Sequence, residues 1–124
     1  MSEVKFKPLE PLSAWVEYPL ITDKLDPPVF RCRLRSVDMF NLMDTVDGSG
    51  KFKAGKATLE CAVEAVAEWE LTRNGEPIPA TPENKLAWLR PIIAEQVADK
   101  PDGIVLGVAI LLDARNRENF LKNS

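Results

Sequence analysis

The stretch that most constrains this chain is 58–89, where a helix-like pattern meets a segment that no helix can cross and then starts again. Across 58–71, Leu59, Ala62, Val63, Val66, Ala67 and Trp69 recur at the three-and-four spacing of one buried helix face. Glu60, Glu64, Glu68 and Glu70 fall mostly to the other side. Asn74 and Gly75 supply a left-handed residue suited to ending that helix, and Pro77 and Pro79 hold the connector extended. Thr81 is a good cap for a second helix, with Pro82 in its first position and Asn84 three residues beyond the cap. The pattern predicts two helices, 58–71 and a second running towards Trp88 and Leu89, folded about a stiff Gly-x-Pro-x-Pro elbow.

The 124 residues are enough for one domain with a real core. Residues 1–13 are charged and interrupted by Pro8 and Pro11, the pattern of an extended arm. Residues 14–21 are rich in aromatic and β-branched side chains, and Pro19 confines such a strand to a sheet edge or ends it. In 29–35, Phe30, Cys32 and Leu34 alternate strictly with Arg31, Arg33 and Arg35, the period of a half-buried strand. The two segments are expected to pair as a hairpin across 14–35. Its arginine face is expected to be solvated, or else to dock an acidic partner. Ser36 then caps a short helix over 37–44, and a glycine-rich, flexible loop leads on to residue 57.

Beyond the elbow, Leu86, Leu89, Ile93 and Val97 keep the helical rhythm through Pro91, which predicts a kink or a restarted helix there. Lys100, Pro101, Asp102 and Gly103 make a turn. The apolar run 104–112 has the length of a buried strand, but it continues to residue 119 without a breaker, and a helix buried on several sides is favoured. The fold class expected is therefore mainly α with a small N-terminal β-hairpin (α+β). In this reading the helix–elbow–helix unit founds a helical body over 58–124.

Several chemistries lose their footing in the composition. A net charge of −3 without blocks of one sign points to neither nucleic acid nor membrane. The chain has no histidine, which removes the commonest general base and metal ligand. Cys32 and Cys61 form no C-x-x-C pair and read as small buried residues in a reducing cytosol, with no secretory segment expected at the start. Gly50, Gly55 and Lys56 have the spacing of a phosphate-binding loop, but Ala57 stands where a magnesium-holding hydroxyl is required. The same loop imitates a calcium site, except that its twelfth position, which needs a glutamate, is Lys56. No catalytic residue, metal ligand or cofactor site is expected, and the chain does not read as an enzyme.

Residues 62–84, A-V-E-A-V-A-E-W-E-L-T-R-N-G-E-P-I-P-A-T-P-E-N, resemble the tail assembly chaperones of long-tailed bacteriophages and prophages. In that family a helix ends in a tryptophan, a G-x-P-x-P connector comes next, and a Thr-x-Glu-Asn helix start succeeds it. The closing residues 120–124 are similar to the Lys-Asn tail of the family's short form. The resemblance implies a binding protein that keeps the helical tape-measure protein soluble while the tail tube forms. It further implies a place in the host cytoplasm rather than the mature virion, and in some members a frameshifted longer form. Trp69, Ile78, Leu86 and Trp88 are the expected partner-binding residues, although both tryptophans would equally serve to close a core between two helices. Two alternatives stand beside it. One is a structural tail-completion or connector protein that self-assembles through 104–112 and the 29–35 edge; the other is a nucleotide-binding enzyme using the loop at Gly50.

Overall fold

A computed structural model describes residues 12–37, 56–116 and Phe120. The expected hairpin is present. Strand β1 (Val16–Pro19) pairs antiparallel with β2 (Val29–Leu34), setting Val16 opposite Cys32 and Tyr18 opposite Phe30. Strand β1 lies at the sheet edge, where Pro19 is tolerated, and Phe30, Cys32 and Leu34 all point into the core. The end of the supposed arm is fixed as well: Ser13 is buried, its backbone N–H donates to the Leu34 carbonyl, and its hydroxyl accepts from the Leu34 N–H.

The fold is not mainly helical; among the described residues helix and strand are comparable, at roughly 34% and 28%. The largest correction concerns 58–71. Helix α1 (Lys56–Ala65) stops at Ala65, and the chain passes directly into strand β3 (Val66–Trp69), the third strand of an antiparallel sheet ordered β1-β2-β3. Two physical reasons appear. First, the last carbonyls of α1 are taken by Arg35, whose guanidinium donates to the Glu64 carbonyl at 3.0 Å and whose N–H donates to the Ala65 carbonyl at 2.7 Å. A residue about thirty positions away thus caps the helix in place of a glycine. Second, the pairing of Leu34 with Val66, Arg33 with Glu68 and Cys32 with Trp69 leaves Ala67 as an extra, bulged residue. The bulge lets Val66 and Trp69, three apart, both face the core, and that spacing is what imitates a helix face in the sequence.

The elbow is a second, two-stranded sheet. Strands β4 (Thr72–Arg73) and β5 (Glu76–Pro77) form a miniature hairpin around Asn74 and Gly75. Both turn residues have positive φ, 53° and 81°, the backbone of a tight two-residue hairpin turn. The left-handed conformation expected at Gly75 is present, but it reverses a strand rather than ending a helix. Thr81 does cap a second helix: its hydroxyl accepts from the Asn84 N–H at 3.2 Å, while the Asn84 side chain donates back to the Pro79 carbonyl.

That helix is short and irregular. One turn, α2 (Pro82–Asn84), widens into a π-turn at Lys85–Leu89 and tightens to a 3₁₀ turn at Arg90–Ile92. Pro91 is the cause: its ring would press on the carbonyl four residues back, and a wide turn makes room for it. The helical rhythm does not run on to Val97, which instead bridges Leu20. After the turn at 100–103, α3 (Leu106–Ala114) is a helix with nearly every residue buried, as expected for its run of apolar side chains. Its first N–H groups are satisfied by the carbonyls of Ile93 and Glu95. Gly107 allows α1 to approach, since a β-carbon there would lie 2.7 Å from Leu59 Cδ2.

The core lies between the sheet and the pair α1 and α3. At its centre Phe30 and Trp69 meet edge to face, 6.3 Å between centroids. The Tyr18 hydroxyl donates to Asp113 Oδ2 at 2.7 Å, tying β1 to α3; burial and Asp113 hold that phenol far above its usual range. Burial raises the Cys32 thiol likewise, with Asp113 adding to it. Among the described residues no helix is long and apolar enough to cross a membrane. The short helix expected at 37–44 and the loop carrying Gly50 and Gly55 lie outside the described residues, apart from Val37 and the backbone at Lys56.

Candidate functional site

An open cleft of about 570 Å³ lies where the hairpin loop, the end of β3 and the irregular turn converge. One wall is Leu25, Pro27 and Val29, presented by the loop before β2 and by its first residue. The floor continues through Arg31 to Glu70 and Leu71, just past β3. The opposite wall is Ile78 with Trp88 and Pro91 from the π and 3₁₀ turns.

The two cations that line this cleft, Lys24 and Arg31, are paired within the chain. Arg31 binds Glu70 directly, lies 3.5 Å from Glu17, and stacks over the Trp15 ring at 4.9 Å. Lys24 reaches across to Glu95 at 2.8 Å and to the Pro91 carbonyl at 2.9 Å, clasping the loop to the turn. The arginine face of β2 is therefore not simply solvated. Glu68 also lies 3.5 Å from Arg33, so the acidic groups facing these arginines belong to this chain. The lining of the cleft is mixed: Trp88 and Val29, each 37% exposed, stand beside the exposed Lys24, Asp26, Glu70 and Thr72.

The four expected partner-binding residues separate. Ile78 and Trp88 stand in the cleft. Trp69 is buried in the core, where its indole N–H donates to the Ile78 carbonyl and so helps to position Ile78. Leu86 is 57% exposed but lies on the other side of the π-turn, in a separate groove. Arg73 of β4 places its guanidinium 5.6 Å from the Trp88 ring centroid, holding the small hairpin over that side chain.

Leu25, Val29 and Leu71 escape the sequence reading. Val29 was findable: on the outward face of β2 it is the one apolar residue in a row of arginines. Leu25, alone among polar and proline residues, carries no such signal. The Cys61 thiol lies outside the cleft, and burial with Glu64 and Glu60 raises it, so it is held protonated. Comparison of the chain with family models, curated proteins and solved structures gives no match.

Proposed function

We propose that this chain is a tail assembly chaperone of the long-tailed bacteriophage type, a binding protein that shields apolar side chains of the tape-measure protein before the tail tube encloses it. The observation that carries the reading is where the chaperone-like stretch 62–84 lies. Leu71 and Ile78 come from it, and with Trp88 just beyond they supply apolar side chains to the open cleft. A cleft of this size takes two or three side chains at i, i+3 and i+4 from an amphipathic helix, not a whole helix. With the cations Lys24 and Arg31 paired within the chain, the apolar side chains of the cleft are left for sequence-tolerant contact. On this reading the chain acts in the host cytoplasm and leaves before the virion is complete. Any pairing there with copies or a longer form of itself uses surfaces other than 104–112. That segment, on which the self-assembling alternative rests, is occupied within the fold as α3.

Co-expression with the tape-measure gene product tests the proposal. A soluble complex is expected, and Trp88→Ala together with Ile78→Ser is expected to reduce soluble client at least about tenfold, the loss of roughly 1.4 kcal/mol of contact. A client equally insoluble with and without this chain would sink the reading.

A further inference from the structure

The two walls of the Trp88 cleft are joined across its mouth by a lysine. Lys24 stands on the loop wall, between β1 and β2, with Leu25 and Pro27. Its ammonium spans to the other wall, meeting Glu95 at 2.8 Å and donating to the Pro91 carbonyl at 2.9 Å. Leu25 packs on the core, and backbone hydrogen bonds fix the loop at its ends. There the Ile21 N–H donates to the Gln96 carbonyl, and the Val29 N–H donates back to the Pro27 carbonyl. Among the described residues, both polar contacts between 22–28 and 85–95 are made by Lys24. Its pair with Glu95 is partly exposed, so salt screens it and it adds little to folding stability. What it fixes is the distance between Leu25 and Pro27 on one side and Trp88 and Pro91 on the other.

We propose that Lys24 is the positioning residue of this cleft, a salt-sensitive clasp that holds the loop wall at the spacing that grips an apolar side chain. With the clasp made, the wall is ordered before a client arrives, and binding does not have to order it. With the clasp screened or removed, the loop wall swings away from Trp88 and the grip weakens. What is gripped rests on the chaperone reading; the clasp itself does not.

Acrylamide quenching of tryptophan fluorescence tests the clasp without a client. In a Trp15→Phe chain the buried Trp69 is shielded, and quenching reports Trp88. From its 37% exposure, Trp88 is expected to quench about twice as readily after Lys24→Met or Glu95→Ala, since a wall is lost. Lys24→Arg keeps a cation with several donors and is expected to match the natural lysine. About 1 M sodium chloride, with a screening length of about 3 Å, should raise quenching in the chain that keeps Lys24 and add nothing to Lys24→Met. Equal quenching with and without Lys24, or no salt effect on the chain that keeps it, would overturn the clasp. The salt series decides this even where a variant does not fold. Co-expression with the tape-measure gene product then tests the grip. Soluble client is expected to fall about fivefold with Lys24→Met and to be retained with Lys24→Arg. Altered quenching with an unchanged yield of soluble client would overturn the positioning role. A natural chain that leaves the client insoluble would sink the chaperone reading instead, and quenching would still decide the clasp.

Discussion

Strand β2 presents its buried residues at every second position, Phe30, Cys32 and Leu34, whereas β3, hydrogen-bonded alongside it, presents Val66 and Trp69 three apart. Both strands cover the same core. The difference is one residue, Ala67, bulged out of the ladder where helix α1 runs into the sheet. A central strand paired on both sides must keep its period, since a slip would turn every side chain over. The outer strand, paired on one side only, absorbs the change in direction from helix to sheet. Irregularity collects where the chain changes element, and there the apolar spacing ceases to report the structure.

The seam between these strands should be the most sensitive part of the molecule. Phe30 is fully buried against Trp69, and Phe30→Ala is expected to cost about 3–5 kcal/mol in urea unfolding. A loss below about 1 kcal/mol would mean that the two strands do not share one core.

Gly75→Val tests the turn just beyond β3. A β-carbon at Gly75 meets no neighbour within 4 Å, so the cost is that of the left-handed backbone alone, about 1–2 kcal/mol. A stability unchanged by valine would show that the β4–β5 turn does not hold this conformation in solution.

Cys32, opposite Trp69, makes the seam sensitive to alkali. Its folded pKa is raised above the ordinary value of 9.0, so its contribution is fully present below pH 9. It is lost as pH rises further, because the unfolded thiol ionises and the buried one does not. About 1 kcal/mol should disappear between pH 9 and pH 10 from this group. Cys32→Ala should flatten that slope while lowering stability overall; an unchanged slope would place the alkaline sensitivity elsewhere.

The smallest effect is the most discriminating. Deleting Ala67 leaves Val66, Glu68 and Trp69 in plain in-out-in alternation against Leu34, Arg33 and Cys32. The cost expected is under about 1 kcal/mol, since the deletion only regularises a ladder. On a continuous helix over 58–71 the same deletion would turn every later side chain by about 100° and unfold the protein. Thermal melts of the deletion variant separate the two outcomes.

The amino-acid sequence by itself determined the β1–β2 hairpin, the Thr81 cap, the left-handed turn at Gly75 and the burial of α3. Each depends on residues within a few positions of one another: an alternation, a hydroxyl before a proline, an Asn-Gly pair, an all-round apolar run. The site was legible only in part, through Ile78 and Trp88, apolar residues beside proline breaks. Tertiary structure alone decided that α1 ends at Ala65, because the groups that end it come from Arg35. It alone decided that Trp69 turns inward to hold Ile78 while Trp88 stays open, and that Lys85 is buried beside another cation. Local propensity favoured a longer helix through Val66–Trp69. The open edge of β2 offered ladder hydrogen bonds and paired charges for the same four residues, and a segment with both options takes the one its distant neighbours complete.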